Sequence, residues 1–325
     1  MPKAQGTPRG ELLAINQQYP LNHFDRWIAP LVSPVTPVSR DEYHYDVVPR
    51  KTMLQNVPGG GIKRGNGQPA KRLSGAMIRQ GGTCERSTIE WPVDVEQEST
   101  PEEQLAAERA AAEVVARSIK LENEMEVAGN LFNPTNYPDG TRGTTVGTAW
   151  TAAGGTPISD INAVRDNGLN STGIPPNTLI MDEKTYLGLR SNTQFLEAYG
   201  DNHMGRNAAG ALPGIFDTSA VASVFQLDQV LVPHLTIDTT DLPTDITAGQ
   251  IWTGGYAFLC YVNPTPDVSA TTVHRTFVNT NKSGFISLDE YMEDGITSRV
   301  MRAQANRDND FVDRELGFLF QGVAA

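Results

Sequence analysis

Cysteine is scarce in this sequence: Cys84 and Cys260 are the two in 325 residues, far apart and in no metal or redox spacing. They predict two ordinary reduced thiols, with neither a disulfide scaffold nor a cysteine-built metal centre. Long hydrophobic runs are missing as well. No stretch reaches 18 apolar residues, and no apolar segment follows the first charges of "MPKAQGTPRGELLAINQQYP". Neither a membrane-crossing helix nor a secretory signal is expected, and no membrane partner. Positive charge is in deficit, with a net charge of −12, which argues against a protein whose main task is gripping phosphate backbones. Catalytic signatures are missing too: there is no P-loop, no GxSxG and no HExxH. The five histidines, His23, His44, His203, His234 and His274, have no second ligand at a metal spacing. "VPGGG" lacks the following helix that a phosphate cradle needs. No catalytic, cofactor-binding or metal-ligating residue is assigned, and no enzyme is expected.

What is present is a soluble-type composition, 39% hydrophobic and 20% charged, in a chain long enough for one large domain or several small ones. Its charge is unevenly spread. From Val47 to Cys84 there is no acidic residue, while Arg50, Lys51, Lys63, Arg64, Lys71, Arg72 and Arg79 give +7 and leave −19 on the rest. Eight glycines fill the same stretch, so an extended excursion is expected there rather than a helix. It fits an arm that needs an acidic partner surface, or a solvated loop; charge alone does not separate the two. Interleaved aromatics that would stack on single-stranded bases are lacking.

Along the chain, "IAPLVSPVTPVSR" closes an N-terminal arm whose prolines predict extended, unpacked backbone. "EYHYDVVPR" and "TCERSTIEWPVDVEQE" read as the two strands of a long ribbon with the basic excursion at its tip. "TPEE" places a capping box at Thr100 and Glu103 with proline at the first helical position, opening a helix from Glu102 to Gly129. Two apolar lines run along it: Leu105, Ala112, Val115 and Ile119, then Leu121, Met125, Ala128 and Phe132. Its glutamates are spaced like a solvated face, and Asp289, Glu290, Glu293 and Asp294 form an acidic surface patch. From Pro157 to Asn263 short elements alternate. Ser159 caps "SDINAVRDN", "PPNTLIM" is a buried strand, Asp182 caps "DEKTYLGLRSN", "DTSAVASVFQ" is a further helix, and "QVLVP" and "YAFLCYV" are strands. This is a compact α/β unit inserted into an elongated domain.

"NTNKSGFISLDE" nearly spells a calcium loop, with Asn279, Asn281, Ser283 and Glu290 at ligand positions and Gly284 at the sharp turn. It carries one carboxylate at those positions, and a strand-like run rather than a helix precedes it. A turn between strands is the expectation.

The order of "PISDINAVRDNGLNSTGIPPNTLIMDEKTYLGLRSN", "VFQLDQVLVPH", "IWTGGYAFLCYV" and "VDRELGFLFQGVAA" resembles that in the major capsid proteins of tailed bacteriophages, the Hong Kong 97-like fold. The resemblance implies an α+β chain with an N-terminal arm at 1–39 and an extended E-loop at 40–98. It implies a peripheral P-domain at 99–156 and 264–325 and an axial A-domain at 157–263. It further implies a structural role: self-assembly into pentamers and hexamers of an icosahedral head enclosing double-stranded DNA without sequence specificity. The subunits would be made in the host cytoplasm and end in the virion. An arm of 39 residues is too short for a fused scaffold, so a separate scaffolding protein, or none, is expected, with a portal and a decoration protein as further partners. Lys63, Arg64, Lys71 and Arg72 are the candidate subunit contacts, laid over a neighbour's acidic spine helix or P-domain. The alternatives are an encapsulin-type nanocompartment shell and, from another class, a calcium-binding α/β protein.

Overall fold

The computed structural model describes residues 27–47, 78–94, 101–140, 142–203, 218–238, 248–267, 270–293, 295 and 298–324. In chain order, α1 (Ala29–Val32), β1 (Val35–Val38), β2 (Glu42–Val47), β3 (Ile78–Thr83) and β4 (Glu85–Asp94) lead to α2 (Pro101–Leu131). Then come β5 (Gly143–Thr145), α3 (Pro157–Thr172), β6 (Thr178–Met181), α4 (Glu183–Gly188), α5 (Thr193–His203) and α6 (Thr218–Phe225). The chain continues through β7 (Gln229–Leu231), β8 (Thr236–Asp238), β9 (Ala248–Gln250) and β10 (Tyr256–Cys260) to β11 (His274–Asn279), β12 (Ser287–Glu293), β13 (Ser298–Phe311) and β14 (Gly317–Gln321).

Two five-stranded sheets carry the fold. The compact one runs β5-β14-β10-β6-β7. Its inner strands carry near-continuous apolar runs, Leu179–Met181, Ala257–Cys260 and Phe318–Phe320, because both faces are covered. Leu179, Met181, Ala257, Leu259 and Phe320 enter the core beneath α3, α5 and α6 with Ile161, Phe195 and Phe225. Ile180, Phe258, Cys260 and Leu319 point the other way, into a core shared with α1 and the end of α2. Asp182 caps α4 as expected, accepting from the Thr185 N–H at 2.9 Å. Helix α3 begins at Pro157, two residues before the expected cap Ser159. Strands β5 and β14 lie in this sheet although both fall outside 157–263.

The long sheet is organised on the 14 residues of β13, which pair with β11, β12 and β4. Here the ribbon expectation needs correcting. The expected return run leaves the ribbon after Thr83: the residues before it, Ile78–Thr83, pair with β2, while Glu85–Asp94 pairs antiparallel with β13. Partner choice more than 200 residues away overrides the local strand pattern.

Helix α2, about 46 Å long at 1.5 Å per residue, packs on two bodies in turn. Ala111, Ala112, Val115, Ala116 and Ile119 cover Met301, Ala303 and Ala305 of the long sheet. Val127, Ala128 and Leu131 enter the core shared with the compact sheet. Positions 115 and 124 are nine residues apart, about half a turn in phase, so the buried face changes side along the helix. The two expected apolar lines are corrected accordingly. Ala112, Val115, Ile119, Ala128 and Phe132 are buried, but Leu105 and Met125 are exposed.

The proline-rich run is also packed rather than free. Pro30 sits in the first turn of α1, where a missing N–H costs nothing, and Pro37 lies in β1, which adds a parallel edge strand to β11. Ile28, Ala29 and Val32 are core residues.

Candidate assembly surface

Lys63, Arg64, Lys71 and Arg72 lie outside the described residues, as does the capping residue Thr100. What is described is the root of the ribbon, its seat on the long sheet, and the faces of the spine helix that the chain itself leaves open.

The ribbon forms a two-stranded sheet of its own. Side chains attach it to the long sheet. Tyr43 stacks on Phe277 with ring centroids 4.2 Å apart, and its hydroxyl donates to Asp308 Oδ2 at 2.8 Å. Burial and that carboxylate push the Tyr43 phenol well above its usual range. Gly82 lies so close that a Cβ there would fall 2.3 Å from Asp308 Oδ2 and 2.6 Å from the Tyr43 hydroxyl. Both thiols are free and buried, and burial pushes Cys84 up to about 11.

Asp41 completes the seat. Its Oδ1 accepts from Asn279 Nδ2 at 2.6 Å and Asn306 Nδ2 at 2.9 Å, and its Oδ2 pairs with Lys282. These donors, Lys282 first, hold the Asp41 carboxyl down to about 2. The segment with calcium-loop spacing is the turn between β11 and β12. Asn279 Oδ1 accepts from the Asn281 N–H at 2.9 Å, Gly284 takes φ +63, and Glu290 lies within β12 opposite Met301.

The expected solvated face of α2 is only partly so. Glu108 is buried and paired with Arg299 at 2.5 Å, and Glu122 and Glu126 take Arg307 at 2.8 and 3.5 Å. Long-sheet arginines thus occupy carboxylates that were assigned to a neighbour's basic arm. Asp289 is likewise no loose member of an acidic patch, since Arg302 and Gln304 hold it at 3.2 and 2.9 Å.

The open surface is more apolar than the charge pattern suggested. Val114 and Met125 are 43% and 46% exposed, with half-buried Leu121 between them at helical spacing. On β4, Ile89 and Trp91 are 37% and 50% exposed. Leu121 and Met125 fall on one of the apolar lines legible in the sequence; nothing local marks Trp91 as open.

Two buried polar clusters fix how the parts meet. The Glu124 carboxylate is fully buried on α2 and accepts from Ile28 N at 3.0 Å, Ala29 N at 2.9 Å and Trp252 Nε1 at 2.7 Å. Burial raises its pKa, against the pull of these three donors. His274 of β11 is also fully buried, with Nε2 3.3 Å from Asn130 Nδ2 and Nδ1 2.8 Å from Ser33 Oγ. An amide donor at Nε2 makes Nδ1 the protonated nitrogen, donating to Ser33. Thr276 and Asn309 continue the chain of bonds to Asn123 of α2. Desolvation lowers the His274 pKa to about 3.

No protein-family profile matches the chain. It is 25% identical over 165 residues to the major capsid protein of Burkholderia phage BcepMu, a match spanning half of this chain and half of that protein's length. Among solved structures, a phage-related protein from Bordetella bronchiseptica RB50 is similar over 98% of this chain and 99% of its own, with a TM-score of 0.73 at 14% identity. A virus-like particle from Pyrococcus furiosus is similar over 96% of this chain and 97% of its own, with a TM-score of 0.54 at 10% identity. The α+β fold is thus the one that phage capsid proteins share.

Proposed function

We propose that this chain is a structural, non-enzymatic major capsid protein that assembles with its own copies into the icosahedral head of a tailed phage. The similarity to a phage major capsid protein carries the reading. The fold likeness over 98% of the chain supports it, and so do the surfaces left open. A chain that buries the cores described above, yet exposes Ile89, Trp91, Val114 and Met125, has apolar area suited to contacts between subunits.

In this reading residues 1–39 are the arm and 40–98 the E-loop, although β4 within that range belongs to the long sheet. The P-domain is the long sheet with α2, and the A-domain is the compact sheet with its helices, here including Gly143–Thr145 and Gly317–Gln321. Pentamers and hexamers would close around double-stranded DNA. A portal would be a partner, with a separate scaffolding protein or none and with or without a decoration protein, and the head would be assembled in the host cytoplasm before taking its place in the virion. A basic E-loop laid over a neighbour's α2 would meet the apolar line of Val114, Leu121 and Met125 beside Glu113. Glu108, Glu122 and Glu126 are already engaged within the chain.

Reversing Lys63, Arg64, Lys71 and Arg72 together to glutamate tests this contact. The variant should remain folded by circular dichroism and form no shells by sedimentation; normal shells would refute the contact. The likeness to the Pyrococcus particle keeps an encapsulin-type compartment as the second reading. Analysis of shell contents separates the two, since a phage head holds nucleic acid and a nanocompartment holds a cargo protein.

A further inference from the structure

The turn at 279–284 has the spacing of a cation loop, yet its donors converge on a carboxylate from another part of the chain. Two amide groups, Asn279 Nδ2 and Asn306 Nδ2, and the Lys282 ammonium all meet Asp41. Two further bonds clip the same corner to the turn. Asn281 Nδ2 donates to Ser39 O at 2.8 Å, and the Thr280 N–H donates to Val38 O at 3.1 Å. Carboxylates are recognised by N–H and ammonium donors, whereas calcium needs converging oxygens.

We propose that the 279–284 turn is a carboxylate-binding socket, with Asp41 as its resident ligand, and that it is the releasable lock on the root of the ribbon. Three observations carry this. First, β2 and β3 pair only with each other among the described strands, so the ladders to the long sheet stop at Val38 on one side and Glu85 on the other, and side chains alone seat the strands between them. Second, the Cys84 N–H donates to the Asp41 carbonyl at 2.9 Å, so the outgoing and returning ends of the ribbon close on one residue. Third, Asp41 sits at the exposed rim, its side chain about one-third open, while Tyr43 and Tyr45 behind it are buried. The lock is therefore the part of the seat that another anion can reach and displace.

Acid is a poor key to this lock. The Asp41 pKa is lowered in the folded chain, so the socket holds at every pH above the ordinary carboxylate value and is lost only as pH falls through about 2. The charged group facing Asp41 is Lys282 from the turn, and the other two donors, Asn279 and Asn306, are neutral. Competition by a carboxylate or an inserted side chain is the release this chemistry allows.

Cys84 reports the state of the lock, because it is buried under the corner that Asp41 holds and its Sγ faces Phe277 O at 3.7 Å. Cys260 is buried in the compact sheet and serves as an internal control. The test is the rate of iodoacetamide labelling of each thiol in the unassembled full chain, resolved by peptide mass spectrometry. Asp41→Ala should speed Cys84 by at least ~10-fold and leave Cys260 unchanged, since three polar bonds to one carboxylate are lost. Formate, but not chloride, should slow Cys84 again in that variant by filling the socket. Lys282→Met, at an exposed position, should speed Cys84 by about 3-fold.

Unchanged Cys84 labelling in Lys282→Met would overturn the lock, even if Asp41→Ala failed to fold. Faster labelling in Asp41→Ala with no response to formate would overturn the socket. The readout needs no shell, so it stands or falls apart from the proposed capsid function.

Discussion

Acidification from pH 7 to pH 5 should weaken this chain through the buried His274. The imidazole is fully buried, and its folded-state pKa is lowered from 6.5 to about 3 by desolvation. An unfolded chain takes up a proton there as pH falls below about 6.5 and the folded chain does not, so stability present at neutral pH is lost on acidification. At about 1.4 kcal/mol per unit of separation, the loss between pH 7 and pH 5 is about 2 kcal/mol. His274→Gln keeps a side chain able to donate and accept beside Ser33 and Asn130 but cannot titrate. Urea unfolding of both chains at the two pH values gives the difference with all other groups cancelled. The wild-type midpoint should fall by about 0.7 M more than that of the variant, taking a slope of about 3 kcal/mol/M. Equal shifts in the two chains would show that His274 is hydrated or charged in the folded state, and would refute the buried relay from Ser33 to Asn309.

Glu124→Gln should cost about 1–2 kcal/mol at pH 7 by urea unfolding, because one amide oxygen cannot serve Ile28, Ala29 and Trp252 as two carboxylate oxygens do. The loss falls at the low end because burial already raises the Glu124 pKa, and a variant as stable as wild type would dismiss its role as a junction. Gly82→Ala should destabilise the chain by about 1–3 kcal/mol, its methyl driving Asp308 from the Tyr43 hydroxyl, and should raise Cys84 labelling; an unchanged midpoint would show that the ribbon root yields freely. Met125→Glu places charge on the open line of α2, so it should leave the unfolding midpoint within about 0.5 kcal/mol of wild type and reduce shell yield. Sedimentation measures that yield, and full yield would remove this line from the subunit contact.

Much of this architecture was written in local pattern. Proline at 101 opening an alanine-rich run marked the spine helix, "PPNTLIM" marked a buried strand and "YAFLCYV" a further strand. The spacing of Asn279, Asn281 and Gly284 was legible as a turn. What stayed hidden depends on partners distant in the chain. Glu124 reads as one more glutamate of a solvated helix until residues 28, 29 and 252 bring it three donors. The departure of the return run from the ribbon after Thr83 follows from β13 competing for Glu85–Asp94. Met125 fell on an apolar line, but α2 changes its buried face between Ile119 and Val127 and leaves that line outside. The candidate contact residues were chosen from charge alone, and charge does not show that Arg299 and Arg307 already occupy the helix carboxylates.

Electron microscopy of the purified chain, alone and with a candidate scaffolding protein, tests the central claim most directly. Closed icosahedral shells, or capsomer rings of five and six copies, are the result expected of a major capsid protein. A monodisperse monomer under every condition would contradict it, leaving the capsid fold with no shell to build.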